Sequence, residues 1–324
     1  MISVRNIVVG YDGFERDERV PAAVVALARA HGARIHLVHV VPPPPRRSWG
    51  LGKLTPATLQ AAAVAHRRRE LDAVARRTAR GLTVTADVRT GAVDDQLIAA
   101  ARATAADLLV VTEPPRPGEP TPRFRANTRR LMRHSPCPVW AIRDPAPPRR
   151  VLATVALDDD GAAPRPIDDL VVDLAASVGG PRAQLVVLHA WDVPGEHLLR
   201  AYGGLPGGEL EHLVGTTERA QRALVQQVVT EAADAAGKSP KVLLVKGSAR
   251  TLIPEIARTA QSELVVLGTA SRTGISSWFI GNTAEKVLNE LPCSVLTVTP
   301  RWKPRRSKAT GAKKAVRPRR RRER

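Results

Sequence analysis

The chain repeats itself once. Arg89-Thr90-Gly91-Ala92 is matched by Val245-Lys246-Gly247-Ser248, Asp107-Leu108-Leu109-Val110-Val111 by Glu263-Leu264-Val265-Val266-Leu267, and Pro136-Cys137-Pro138-Val139 by Pro292-Cys293-Ser294-Val295. All three pairs share an offset of 156 residues, and upstream Leu37-Val38-His39 matches Val187-Leu188-His189 at an offset of 150. A period this long marks a duplicated domain, because solenoid repeats run to only about 20–50 residues. At 324 residues the chain has room for two units of about 150 each. The join is the Pro/Arg stretch from Asp144 to Arg150, stiff by composition. The expected division is 1–144, 150–300 and a tail over 301–324.

Each half alternates short apolar runs with helical spacing. In the first half strands are expected over Asn6–Tyr11, Arg34–Val41, Thr83–Arg89, Leu108–Thr112 and Pro138–Ile142. Helices are expected between them over Arg19–Ala30, Pro56–Ala79, Asp94–Thr104 and Asn127–His134. The second half repeats the scheme, with strands at Val151–Leu157, Gln184–Trp191, Lys241–Val245, Leu264–Gly268 and Ser294–Val298. Five apolar strands joined by helices require a parallel sheet covered on both faces. Right-handed crossovers make it doubly wound and Rossmann-like. The fold class is therefore α/β, with two tandem five-stranded parallel-sheet domains. Ligands of such sheets sit beyond the carboxyl ends of the strands, where strand order reverses. That points to the loops after the first and fourth strands.

Composition narrows the function. Hydrophobic residues make up 43% of the chain, enough for a real core, and aromatics only 3%, which disfavours an aromatic-platform RNA binder. Two cysteines cannot staple a secreted scaffold. No run approaches 18 apolar residues and the N-terminus lacks a signal-peptide layout, so the expectation is a cytoplasmic protein with no membrane partner. The formal charge of +19 is uneven: residues 301–324 hold thirteen Lys/Arg and one Glu, leaving the first 300 residues at +7.

The fourth strand of the second half runs into Gly268-Thr269-Ala270-Ser271-Arg272-Thr273-Gly274, and Gly281-Asn282-Thr283-Ala284-Glu285 follows. Small residues let backbone N–H groups approach an anion, and the helix opening at Gly281-Asn282 offers free N–H groups and partial positive charge. Asn282 with Glu285 three residues on also reads as an ordinary capping box.

This stretch resembles the universal stress protein family. The family's ATP-binding subset has Gly, two residues, Gly, nine residues, then Gly with Ser or Thr. Gly268 and Gly281 fill the first and third positions; Ser271 and Asn282 stand in the other two, with the Thr283 hydroxyl nearby. The run from Gly268 to Glu285 is similar to the E-type, tandem-domain members, and Leu131–Trp140 agrees in the first half. The resemblance implies a non-enzymatic stress protein, with its halves packed along their fifth strands as an intramolecular pseudo-dimer. A further homodimer of such units is compatible with it. It also implies a small anionic ligand, ATP or another phosphorylated molecule, held by Gly268, Ser271, Arg272, Gly274, Gly281, Asn282 and Thr283. In the first half Asp12 matches the family's Asp beside the adenosine, although a turn would use an Asp there equally well.

Each half keeps a different part of that site. After the first half's fourth strand stands Glu113-Pro114-Pro115-Arg116-Pro117-Gly118, and prolines lack the donors of a phosphate cradle. Arg116, Arg123, Arg125, Arg129 and Arg130 are either an anion site or a solvated basic face. In the second half the position of Asp12 falls to Ala156, with Asp158, Asp159 and Asp160 following. Gly50-Leu51-Gly52-Lys53-Leu54-Thr55 departs from a Walker loop at Arg47 and Leu54. Cys137 and Cys293 hold equivalent positions and read as packing, and no metal is expected. An ATP-hydrolysing or adenylyl-transferring enzyme in the same cleft is the alternative, with Asp158 its acidic candidate. The tail reads as disordered, suited either to non-specific contact with nucleic-acid phosphates or to keeping the protein soluble.

Overall fold

The computed structural model describes residues 2–13, 19–44, 55–114, 124–157, 166–193, 195–202, 208–236, 240–269 and 282–304, with the side chains of 231–236 and 282–285 outside that description. The Walker-like stretch up to Leu54, the acidic run Asp158–Asp160, Arg116, Arg123 and residues 305–324 lie outside the described residues.

The first half runs β1 (Asn6–Gly10), α1 (Ala22–His31), β2 (Arg34–Val41), α2 (Pro56–Thr78), β3 (Val84–Thr90), α3 (Val93–Ala103), β4 (Leu108–Thr112), α4 (Ala126–His134) and β5 (Val139–Ile142). The second runs β6 (Arg150–Val155), α5 (Pro166–Gly179), β7 (Gln184–Trp191), α6 (Glu196–Tyr202), α7 (Glu209–Ala236), β8 (Lys241–Lys246), α8 (Ala249–Thr259), β9 (Leu264–Gly268), α9 (Asn282–Glu290) and β10 (Ser294–Val298). The short α6 has no counterpart in the expected scheme.

One ten-stranded sheet runs through the molecule in the order β3-β2-β1-β4-β5-β10-β9-β6-β7-β8. Within each half the strands are parallel, and the direction of winding reverses between β1 and β4 and between β6 and β9. The central strands are buried throughout, Ile7, Val8, Leu108, Leu109, Leu264 and Val265 being fully inaccessible. That is the environment that selects unbroken Val/Ile/Leu runs.

The halves join where β5 and β10 pair antiparallel, with Val295 opposite Ala141, Leu296 opposite Trp140 and Thr297 opposite Val139. Position 296 is the repeat equivalent of position 140, so the seam is centred on one equivalent pair and is self-complementary like a twofold dimer interface. The Ser294 hydroxyl accepts from Arg143 N at 3.0 Å, and Arg143 Nη1 donates to the Leu291 carbonyl at 2.8 Å. Helices α1 and α5 also meet across the pseudo-twofold.

Sheet register fixes the repeat more closely than the motifs do. Ile7 pairs with Leu108 and Ile35, whereas Val151 pairs with Leu264 and Leu185. Equivalent residues are thus 144 apart at the first strand, 150 at the second and 156 from the fourth onward. The second copy is longer ahead of β7, and again between β7 and β8, the stretch that holds α6. Two repeated motifs have backbone reasons. Asp107 accepts from the N–H groups of Arg5 and Asn6 at 2.7 and 2.9 Å, and Glu263 from Arg149 N at 2.5 Å, so each acidic residue ties the start of one central strand to the next. Gly91 and Gly247 hold φ of +135° and +138°, a conformation that excludes other residues at little cost only to glycine.

Trp302 is 5% exposed, packs in the core and donates its backbone N–H to Thr299 O, so the structured chain reaches at least to Lys303.

Candidate functional site

In the first half the reversal point between β1 and β4 opens a cleft of about 140 Å³. Gly10, Tyr11 and Asp12 form one rim, Thr112 and Glu113 another, and Arg125, Asn127 and Thr128 at the start of α4 close a third side. Gly10 has no room for a side chain: an added Cβ would lie 2.9 Å from Leu97 Cδ1. His39, at the end of β2, places Nδ1 2.8 Å from the Tyr11 carbonyl. A carbonyl only accepts, so Nδ1 carries the proton and the ring pins the end of β1. Asp12 is exposed, with its carboxylate 4.0 Å from the same nitrogen.

Glu113 is the unexpected member. Although charged, it is 5% exposed. It accepts from the Thr128 hydroxyl and, through Oε2, from the backbone N–H of Arg125 at 3.4 Å, with Arg125 Nε 3.8 Å away. Its carboxylate therefore sits on the amide end of α4, where the helix dipole favours negative charge. Of the arginines proposed as an anion site, Arg130 pairs with buried Asp94 at 3.0 Å and Arg125 lines the cleft.

The second half repeats the scaffold with different side chains. His189 Nδ1 lies 3.1 Å from the Val155 carbonyl, repeating the His39–Tyr11 contact, and its Nε2 lies 3.0 Å from the Gln221 carboxamide. Ala156, in the place of Asp12, donates its N–H to Oδ1 of Asp168 at 3.0 Å. Asp168, 1% exposed in the first turn of α5, thus brings a carboxylate to this strand end. Its sequence signal is a pair of acids just after Pro166, the pattern of a helix start.

Gly268 closes β9, and an added Cβ would lie 2.9 Å from Ile167 Cδ1, so α5 packs directly on it. The next residue, Thr269, is the repeat equivalent of Glu113. Both donate their backbone N–H to the fifth strand of their half, Glu113 to Ile142 O at 2.7 Å and Thr269 to Val298 O at 2.8 Å. The side chains then part: the Thr269 hydroxyl turns back to Val298 O at 3.2 Å. Asn282 and Thr283 are the first two residues of α9, their side chains undescribed. Ser271, Arg272, Gly274 and Gly281 lie outside the described residues. The structure thus brings Asp12 to a cleft in one half and Gly268 to the end of β9, packed against α5, in the other.

Burial pushes the Cys137 thiol up to about 12 and the Cys293 thiol up to about 11, so both are packing residues rather than nucleophiles at neutral pH. Among the described residues no group of three or more His, Cys, Asp or Glu is arranged to hold a metal ion, and no helix is long and apolar enough to cross a membrane.

A family model described as the universal stress protein family matches residues 3–143 and 154–299. Universal stress protein E of Salmonella typhi is 30% identical over 183 residues, covering 52% of this chain and 53% of that protein. Universal stress protein E of Escherichia coli K12 is 29% identical with the same coverage. The chain spans about half the length of the curated relatives it matches. Among solved structures, a functionally unknown protein of Pseudomonas aeruginosa PAO1 is similar in fold at 22% identity, with 91% of this chain and 92% of that one covered and a TM-score of 0.61. A universal stress protein from Archaeoglobus fulgidus is similar in fold at 14% identity, with 91% and 98% covered and a TM-score of 0.57.

Proposed function

The chain belongs to the universal stress protein family, and from that premise we propose that it is a non-enzymatic, cytoplasmic binding protein of the stress response whose second half holds a phosphorylated small molecule, ATP or another phosphate-bearing ligand. We take 1–144 and 150–300 as its two domains. Gly268, Ser271, Arg272, Gly274, Gly281, Asn282 and Thr283 surround the phosphates, chiefly through backbone N–H groups, and Asp12 serves the first cleft. Occupancy of the second site biases a surface that partners read, which needs neither a general base nor a metal.

The observation that carries this reading is the contrast between Glu113 and Thr269. At the same backbone position the first half directs a carboxylate onto its helix N-terminus, and the second half turns a small hydroxyl away to Val298. A neutral side chain facing elsewhere favours an anion from solution over one from the chain itself.

Native mass spectrometry of the freshly purified full chain tests it. The expected spectrum carries a mass increment of one phosphorylated ligand, or gains one on addition of ATP, and Gly281→Trp abolishes it. Protein that stays bare with millimolar ATP overturns the reading. Turnover of ATP that persists unchanged in Gly281→Trp would place hydrolysis elsewhere.

A further inference from the structure

We propose that Glu113 is a built-in anion that sets the specificity of the first cleft: its carboxylate occupies the amide end of α4 and restricts that cleft to ligands without a phosphate.

Three independent features converge on this residue. Its burial is the first: a carboxylate withdrawn from water persists only where donors replace its hydration. The second is the donor set, namely the Arg125 N–H, the Thr128 hydroxyl and the nearby Arg125 guanidinium, which is what an incoming phosphate would use. The third is the cleft itself, which Glu113, Arg125 and Thr128 all line. Any phosphate entering along the strand ends would meet a negative charge already bonded to those donors. The remaining surface, with Val38, Val40, Leu97 and Leu131 beside the exposed Asp12, suits a small uncharged or cationic molecule with an apolar face.

At this one position the two backbones are alike. Glu113 and Thr269 form equivalent strand-end hydrogen bonds, so one side chain distinguishes the two halves here. The inference concerns the first half only and does not depend on what the second half binds.

The test uses the full chain labelled with nitrogen-15, with inorganic phosphate as the probe, and follows the amide resonances of Arg125, Ala126 and Asn127. In the natural chain these amides should stay still up to tens of millimolar phosphate. In Glu113→Thr, which installs the second-half residue, they should shift saturably with an affinity at least tenfold tighter. Glu113→Gln keeps the shape and drops the charge; it should show a smaller gain, and it carries the test should the threonine variant fail to fold. Amides of the second half, such as Thr269, report separately on that site and should respond alike in all three proteins. Phosphate shifting the α4 amides of the natural chain, or leaving them still in both variants, would overturn the proposal.

Discussion

Replacing Gly268 by alanine should destabilise the second half whether or not a ligand is present. The new methyl group would stand 2.9 Å from Ile167 Cδ1 and 3.2 Å from Cγ1, with Val171 Cγ2 behind it at 3.8 Å. Ile167 is itself 5% exposed, so its methyl has little space to rotate into. Overpacking of this kind costs about 1–3 kcal/mol, and a terminal methyl that yields slightly puts Gly268→Ala at roughly 1–2 kcal/mol. With a urea dependence of about 2–3 kcal/mol per molar, the unfolding midpoint should fall by roughly 0.3–1 M. Ile167→Val removes the clashing Cδ1 and alone should cost about 0.5–1.5 kcal/mol. Gly268→Ala should then cost less in the Ile167→Val background than in the natural chain, because the 2.9 Å contact is gone and only the 3.2 Å contact at Cγ1 remains. Urea titration of the four proteins, followed by circular dichroism, gives the coupling directly. Equal losses from Gly268→Ala in both backgrounds would refute the packing argument. The result bears on function too, since a glycine that looks like part of a phosphate loop has a second reason to be glycine.

Two further outcomes follow from the described geometry. Gly91→Ala and Gly247→Ala should each cost about 1–2 kcal/mol by thermal or urea unfolding, since φ near +135° is strained for any residue with a Cβ; wild-type stability in either would mean that the backbone there relaxes freely. Acid should weaken the fold before the carboxylates titrate. Burial lowers the His31 imidazole below its ordinary 6.5, a hydrogen bond with the Ser177 backbone partly opposes this, and the Arg5 charge adds to the lowering. A histidine that binds its proton less well folded than unfolded contributes full stability above about pH 6.5 and loses it progressively as pH falls below that. The urea midpoint should therefore drop between pH 7 and 5.5, with a shallower slope in His31→Gln; His36, lowered by burial and by Arg34, supplies part of the remainder. An identical slope in His31→Gln would sink that assignment.

The architecture was legible because parallel strands buried on both faces must be apolar along their whole length. β2, β4, β7, β9 and β10 match the expected spans from end to end. Helix starts were less so: α1 begins at Ala22 rather than Arg19, after Pro21 in an extended conformation. Asp12 stands where its place in the sequence puts it, beyond the end of β1 on the rim of the first cleft. The site was not legible where the partner is remote. Glu113 takes its meaning from Thr128, fifteen positions on, and Asp168 from Ala156, twelve positions back. The sequence around Glu113 shows only that Pro114 and Pro115 withdraw two backbone donors, and gives the glutamate itself no partner. Only the folded chain shows what its carboxylate touches.

Fusing the two copies through the β5–β10 seam has an evolutionary corollary. In an assembly of identical subunits every substitution appears twice, so both pockets must change together. Here one copy can exchange threonine for glutamate while the other keeps its chemistry, and the shared sheet still holds both in register. Covalent linkage frees the side chains of each copy to diverge while the seam between them stays self-complementary.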